Sequence, residues 1–123
     1  MPRIVLTLTA LLSTIALFAT VASADSTPIG KIPAGPVTTI VTPKNGLVAV
    51  ALPHQKAGLV WRLARSVNPR VLRQVSEADI GSNVVIVYKA VGVGNVSVIY
   101  AVTRGDTSSK ALRSSTYKVR VTT

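Results

Sequence analysis

Val84-Val85-Ile86-Val87-Tyr88-Lys89-Ala90-Val91-Gly92-Val93-Gly94-Asn95-Val96-Ser97-Val98-Ile99-Tyr100-Ala101-Val102-Thr103 carries the decisive pattern of this chain. Both halves are rich in β-branched residues, which suit a pleated, half-buried surface better than a helix. From Val96 onward the residues alternate: Val96, Val98, Tyr100 and Val102 share one face, and Ser97, Ile99, Ala101 and Thr103 share the other. Gly92-Val93-Gly94-Asn95 between the halves has the composition of a turn, so the two runs are expected to form a hairpin.

Outward from this stretch, further short apolar runs fall at 37–42, 47–52, 59–64, 71–75 and 116–121, making seven with 84–91 and 96–103. Pro43-Lys44-Asn45-Gly46 separates the first two runs, which should pair or turn a corner there. In the last run Tyr117, Val119 and Val121 point one way and Lys118 and Arg120 the other. The stretch 76–81 reads as a loop or a helical turn. Residues 25–123 hold 18 Val against 6 Leu and no Met, a bias toward strands. Seven short strands with polar turns and one Trp in the third predict an all-β protein, a seven-stranded immunoglobulin-like β-sandwich. Leu59, Trp61 and Leu63 share a face of the third run, which makes Trp61 the expected central core residue. The competing reading is a surface Trp used for binding.

The N-terminus has a different composition. Met1, Pro2 and Arg3 form a short positive region, 4–21 is an apolar run, and Ala22-Ser23-Ala24 gives a small-x-small cleavage pattern. Residues 1–24 are therefore expected to be a signal peptide, with a retained membrane anchor as the alternative. Residues 25–36, with Pro28, Gly30, Pro33, Gly35 and Pro36, read as a Pro/Gly-rich leader or tether, and 37–123 as the folded domain. The mature chain holds no segment that could span a bilayer as a helix. It is expected to be secreted, either periplasmic or extracellular.

Composition excludes much chemistry. The chain of 123 residues has no Cys, one His and four Asp plus Glu against 14 Lys plus Arg; losing Arg3 with the signal lowers the net charge from +10 to +9. No thiol chemistry, disulfide framework or Cys-type zinc site is available, and neither a cofactor nor a metal is expected. A hydrolase triad would have to use His54 with Asp79 or Asp106, yet no strained nucleophile turn accompanies them. Glu77 and Asp79 read as solvated loop charges. No catalytic residue is assigned, and the chain is not expected to be an enzyme.

Between Lys56 and Glu77 there is no acid, and Arg62, Arg65, Arg70 and Arg73 stand out as a candidate polyanion-binding set. Acidic envelope polymers are the expected ligands if the patch is used. Specific nucleic acid is disfavoured by export and by the lack of interleaved aromatics. A solvated basic face is the plainer reading. Arg104-Gly105-Asp106 matches an integrin-binding tripeptide, and Asn95-Val96-Ser97 matches a glycan acceptor whose plainer reading is a turn Asn.

Four segments together carry a family resemblance: Gly46-Leu47-Val48-Ala49-Val50-Ala51-Leu52-Pro53, Gly58-Leu59-Val60-Trp61, Val84 to Tyr100 with Lys89-Ala90-Val91-Gly92, and Tyr117-Lys118-Val119-Arg120-Val121. The chain resembles the chagasin-type inhibitors of papain-like cysteine proteases, which are exported, cysteine-free immunoglobulin-like sandwiches. The resemblance implies a protein-binding domain in which three loops at one end insert into a protease cleft. Where that family carries Asn-Pro-Thr-Thr-Gly, this chain has His54-Gln55-Lys56-Ala57-Gly58. Its second loop corresponds to Ile80-Gly81-Ser82. Its Arg-Pro-Trp loop corresponds to Arg104-Gly105-Asp106, with no aromatic. A papain-like protease is the implied partner. The alternative is an exported structural or adhesive module that binds acidic envelope polymers through its basic face.

Overall fold

The computed structural model describes residues 27–123, so the expected signal peptide and its cleavage site lie outside the described residues. Seven strands follow one another: β1 (Val37–Pro43), β2 (Leu47–Pro53), β3 (Val60–Leu63), β4 (Leu72–Ile80), β5 (Asn83–Ala90), β6 (Gly94–Thr103) and β7 (Arg113–Thr122). They form a four-stranded sheet in the order β1-β7-β6-β3 and a three-stranded sheet in the order β2-β5-β4. The fold is all-β, an immunoglobulin-like sandwich. β1 runs parallel to β7, with Val37 opposite Thr116 and Pro43 opposite Thr122; every other pairing is antiparallel.

Period-two alternation builds the core. Val48, Val50 and Leu52 of β2, Ile86 and Tyr88 of β5, Val98 and Tyr100 of β6, and Val119 and Val121 of β7 meet between the sheets. Burying each such side chain is worth about 1.5–3 kcal/mol. Tyr100 is the largest side chain enclosed in full, at 1% exposure. A bare phenol at that depth would be costly. Its hydroxyl lies 2.5 Å from that of Tyr88, so the two polar tips satisfy one another inside the sandwich.

Three expectations from the sequence are corrected. β5 and β6 do not form a hairpin: β5 belongs to the three-stranded sheet and β6 to the four-stranded one. Residues 91–93 carry the chain from one sheet to the other, held by Val91 and Gly92 N–H groups donating to the Val71 carbonyl. Gly92 is required there, because a Cβ would collide with the Arg70 carbonyl. The true tight hairpin joins β4 to β5. Accordingly 76–80 is neither loop nor helical turn but the second half of β4, continued past a bulge between Gln74 and Ser76.

Trp61 is the third correction. It packs against the core but is only half-buried, because β3 is a four-residue edge strand and its side chains fall at the margin of the sandwich. The central aromatic positions belong to Tyr88 and Tyr100.

Residues 27–36 lie against the outer face of the four-stranded sheet. Thr27 N–H donates to the Asp106 carbonyl, Gly30 N–H to Ser109, Thr116 N–H to Pro36, and the Ser114 hydroxyl to Pro33. Ala101 and Thr103, on the side of β6 that alternation assigns to solvent, are fully buried, and Ile29 is nearly so.

Candidate functional site

The three loops that follow β2, β4 and β6 meet at one end of the sandwich. His54 N–H donates to the Ser82 carbonyl at 2.9 Å, tying the first loop to the second. The Arg113 guanidinium, at the close of the third loop, donates to Gln55 Oε1 in the first. Gln55 Nε2 and Trp61 Nε1 both donate to the Pro53 carbonyl, at 2.9 and 2.7 Å, which fixes the exit of β2 against the start of β3. Each loop turns on a glycine at positive φ, Gly58, Gly81 and Gly105, with open space where a side chain would stand. His54, Lys56, Ala57, Gly58, Ile80, Gly81, Ser82, Arg104 and Asp106 are exposed, while Gln55 and Gly105 are half-covered. Ile80, at 59% exposure, is the large apolar side chain that the second loop presents.

The leader holds the third loop in place. Arg62 is 5% exposed and reaches from β3 under the strap, donating to the Ser108 carbonyl at 2.7 Å, to the Thr27 carbonyl and to the Thr103 hydroxyl. Thr103 Oγ1 in turn donates to the Gly105 carbonyl at 2.7 Å. The Arg104-Gly105-Asp106 backbone is therefore pinned from two sides.

Arg62 was expected among the polyanion-binding residues, and its burial removes it from that set. Arg65 is exposed, but it donates to the Ile29, Gly30 and Ala64 carbonyls and so also fastens the leader. Arg70 and Arg73 lie elsewhere. Arg73 stands opposite Lys89 on the outer face of the three-stranded sheet. Arg70 precedes β4 at the end away from the loops, where Asn45, next to Lys44, donates its N–H to the Ala90 carbonyl. The four arginines thus share no face. Instead Lys44, Arg70, Arg73 and Lys89 surround the far end, and no described acid lies among them.

Behind the first loop, between β3 and the β4–β5 hairpin, a cavity of about 340 Å³ opens. Leu52, Ile86, Trp61 and Tyr100 wall it, and Glu77, His54 and Asp106 stand at its rim. The β4 bulge sets the register of two carboxylates: beyond it Glu77 falls opposite Ile86 and reaches the rim, whereas Asp79, opposite Val84, stays in solvent beside His54. His54 Nε2 lies 3.5 Å from Asp79 Oδ1. Partial burial raises the Glu77 pKa above its ordinary value, with neighbouring Asp79 adding to the rise and the Gln74 hydrogen bond opposing it. Burial raises the Tyr100 and Tyr88 hydroxyls too, so both are neutral donors and acceptors at neutral pH.

Among the described residues His54 has an acid beside it but no serine hydroxyl bonded to it, and no cluster of His, Asp or Glu could hold a metal. No described helix is long and apolar enough to cross a membrane. The site is a set of loops tied by hydrogen bonds, with a cavity behind them. Sequence reading named the loops but missed the cavity. A usable signal was that Glu77, Asp79 and Asp106, three of only four acids in the chain, lie in or just after strands that lead to one end.

Solved structures share this architecture. The cysteine protease inhibitor EhICP2 from Entamoeba histolytica aligns with a TM-score of 0.55 at 17% identity, over 72% of this chain and 98% of that one. PbICP-C, solved in complex with falcipain-2, aligns with a TM-score of 0.51 at 13% identity, over 78% of this chain and 98% of that one. The chain therefore has the fold of chagasin-type inhibitors over nearly the whole length of both. No protein-family model matches the sequence, and no curated protein matches it at a significant level.

Proposed function

We propose that the mature chain is an exported binding domain that engages a papain-like cysteine protease by inserting its three-loop end into the cleft, with no catalytic group of its own. The observation that carries this reading is the union of three short glycine-turned loops at one end of a fold shared with cysteine protease inhibitors. An edge pre-ordered by such hydrogen bonds enters a concave site without paying much ordering entropy. The loops lack the aromatic anchor of the resembling family, so the exposed Ile80 is the apolar side chain assigned to central contact.

Titration of a papain-like protease with the purified domain tests the proposal. Reversible inhibition is expected, weakened about tenfold or more by Ile80→Asp. Unchanged protease activity at about 100 μM domain, where a Kd of 1 μM would give near-saturation, sinks the reading.

A second reading has its own observation. The acid-free set Lys44, Arg70, Arg73 and Lys89 at the far end would attract acidic envelope polymers without obstructing the loops.

A further inference from the structure

We infer that the cavity behind the first loop receives a cationic side chain, lysine or arginine, from the protein on which the loops seat; this rests on the loop-insertion reading above. The volume of about 340 Å³ suits a side chain rather than a large cofactor. Its walls of Leu52, Ile86 and Trp61 match the methylene stem of such a residue.

Its polar features match the charged head. The chain carries 14 Lys plus Arg, yet none lines this cavity, whereas Glu77 and Asp106 do and Asp79 lies beside His54 at the rim. Lys56, Arg104 and Arg113 stand on the same loops outside the lining, so the carboxylates are the charges an entering side chain meets, and they favour a cation.

A second observation comes from the wall itself. Tyr100 is 1% exposed and lines the cavity. Its hydroxyl and that of Tyr88 together offer two protons and four lone pairs. Their mutual hydrogen bond pairs them with one another, so the floor of the cavity is closed and satisfied. An entering ammonium or guanidinium therefore keeps its three to five N–H donors at the rim, where the Glu77 and Asp106 carboxylates accept them. Trp61 adds a ring at the same wall, held by its N–H bond to Pro53.

The mouth position selects a partner's side chain over a free amine. The cavity opens beside His54 and Gln55 of the first loop, so a protein resting on the loops covers it.

The single Trp of the chain gives a direct readout. Nα-acetyl-lysine methylamide and Nα-acetyl-arginine methylamide are titrated against Trp61 emission, with Nα-acetyl-norleucine methylamide as the uncharged control of similar length. A saturable change is expected with one or both cationic probes, about tenfold weaker with norleucine, and about tenfold weaker for the cationic probes in Glu77→Gln. Equal binding of norleucine and lysine, or a Glu77→Gln variant that binds the cations as well as wild type, overturns the assignment. So does the absence of any emission change, with no shift of the Trp61 indole N–H resonance. Protease titration separates the two proposals. Probe binding without inhibition removes the loop reading and keeps the cavity as a cation site, whereas inhibition without probe binding removes the cavity assignment alone.

Discussion

The two ends of this sandwich are built from the same strands and face opposite chemical tasks. At the loop end, backbone hydrogen bonds from the leader, the buried Arg62 and the His54–Ser82 bond lock three short loops around an acid-rimmed cavity. At the far end, the turn at residues 44–46 and the crossing at 91–93 are tied by backbone bonds, and Lys44, Arg70, Arg73 and Lys89 stand in solvent without acids. The contrast teaches that formal charge says little about role. Arg62 and Arg70 belong to one acid-free stretch, yet one is a structural clamp and the other a solvated cation.

The largest expected effect separates those two arginines. Arg62→Ala removes three charge-assisted donors from two partly buried carbonyls and a buried hydroxyl and should destabilise the domain by about 3 kcal/mol, whereas Arg70→Ala should stay within about 0.5 kcal/mol. Urea unfolding of both variants checks this, and equal midpoints would erase the distinction between the ends.

Next is Trp61, at the cavity wall. Half-burial on an edge strand implies about 2 kcal/mol for Trp61→Ala, below the roughly 3–5 kcal/mol typical when a central aromatic is truncated. A chemical-denaturation comparison with Tyr100→Ala sharpens the point, because Tyr100 should show the larger loss.

The tyrosine pair gives the core between the two ends an alkaline weakness. Burial raises both hydroxyl pKa values above the ordinary 10.0, so the unfolded chain releases these protons at lower pH than the folded one. Stability from the pair is full below the unfolded value and is lost as pH rises above it. Thermal melts between neutral pH and about pH 11 should show a steeper fall in wild type than in the Tyr88→Phe, Tyr100→Phe double variant.

The smallest effect concerns the far end. On duplex DNA used as a generic polyanion, Arg73→Gln and Lys89→Gln should each reduce the log–log salt slope by about 0.9, while Arg113→Gln at the loop end leaves it unchanged. A uniform response at all three positions would mean that net charge alone drives the binding.

Much of the architecture was legible because alternation marks which side of a strand is buried. Val98, Tyr100, Val119 and Val121 all point inward as their spacing dictates. What alternation cannot tell is which strand lies beside which. Gly92-Val93-Gly94-Asn95 suits a tight hairpin and a crossing between sheets equally well, since glycine serves both. The β4 bulge was hidden for a related reason. One extra residue resets the alternation, so Glu77 and Asp79 looked like loop charges when they are exposed strand residues, with Glu77 at the cavity rim. Arg62 was misplaced because a buried cation is recognised only by its acceptors, and those are backbone carbonyls more than 30 residues away in the chain. The loops were legible as positions between strands, but their contacts depend on side chains such as Gln55 and Arg113 whose meeting no local pattern encodes.

The parallel pairing of β1 with β7 joins the first and last strands of the domain side by side. A pull on the two ends of the described chain therefore drags these neighbours past each other along their axes. The rungs from Val37–Thr116 to Pro43–Thr122 carry that load together rather than opening in turn like a zipper. Ahead of them, the bonds from residues 27–36 to the third loop and β7 are met one after another. Under tension the molecule thus has a yielding strap in series with a stiff ladder, and an anchored copy would give a little before it resists.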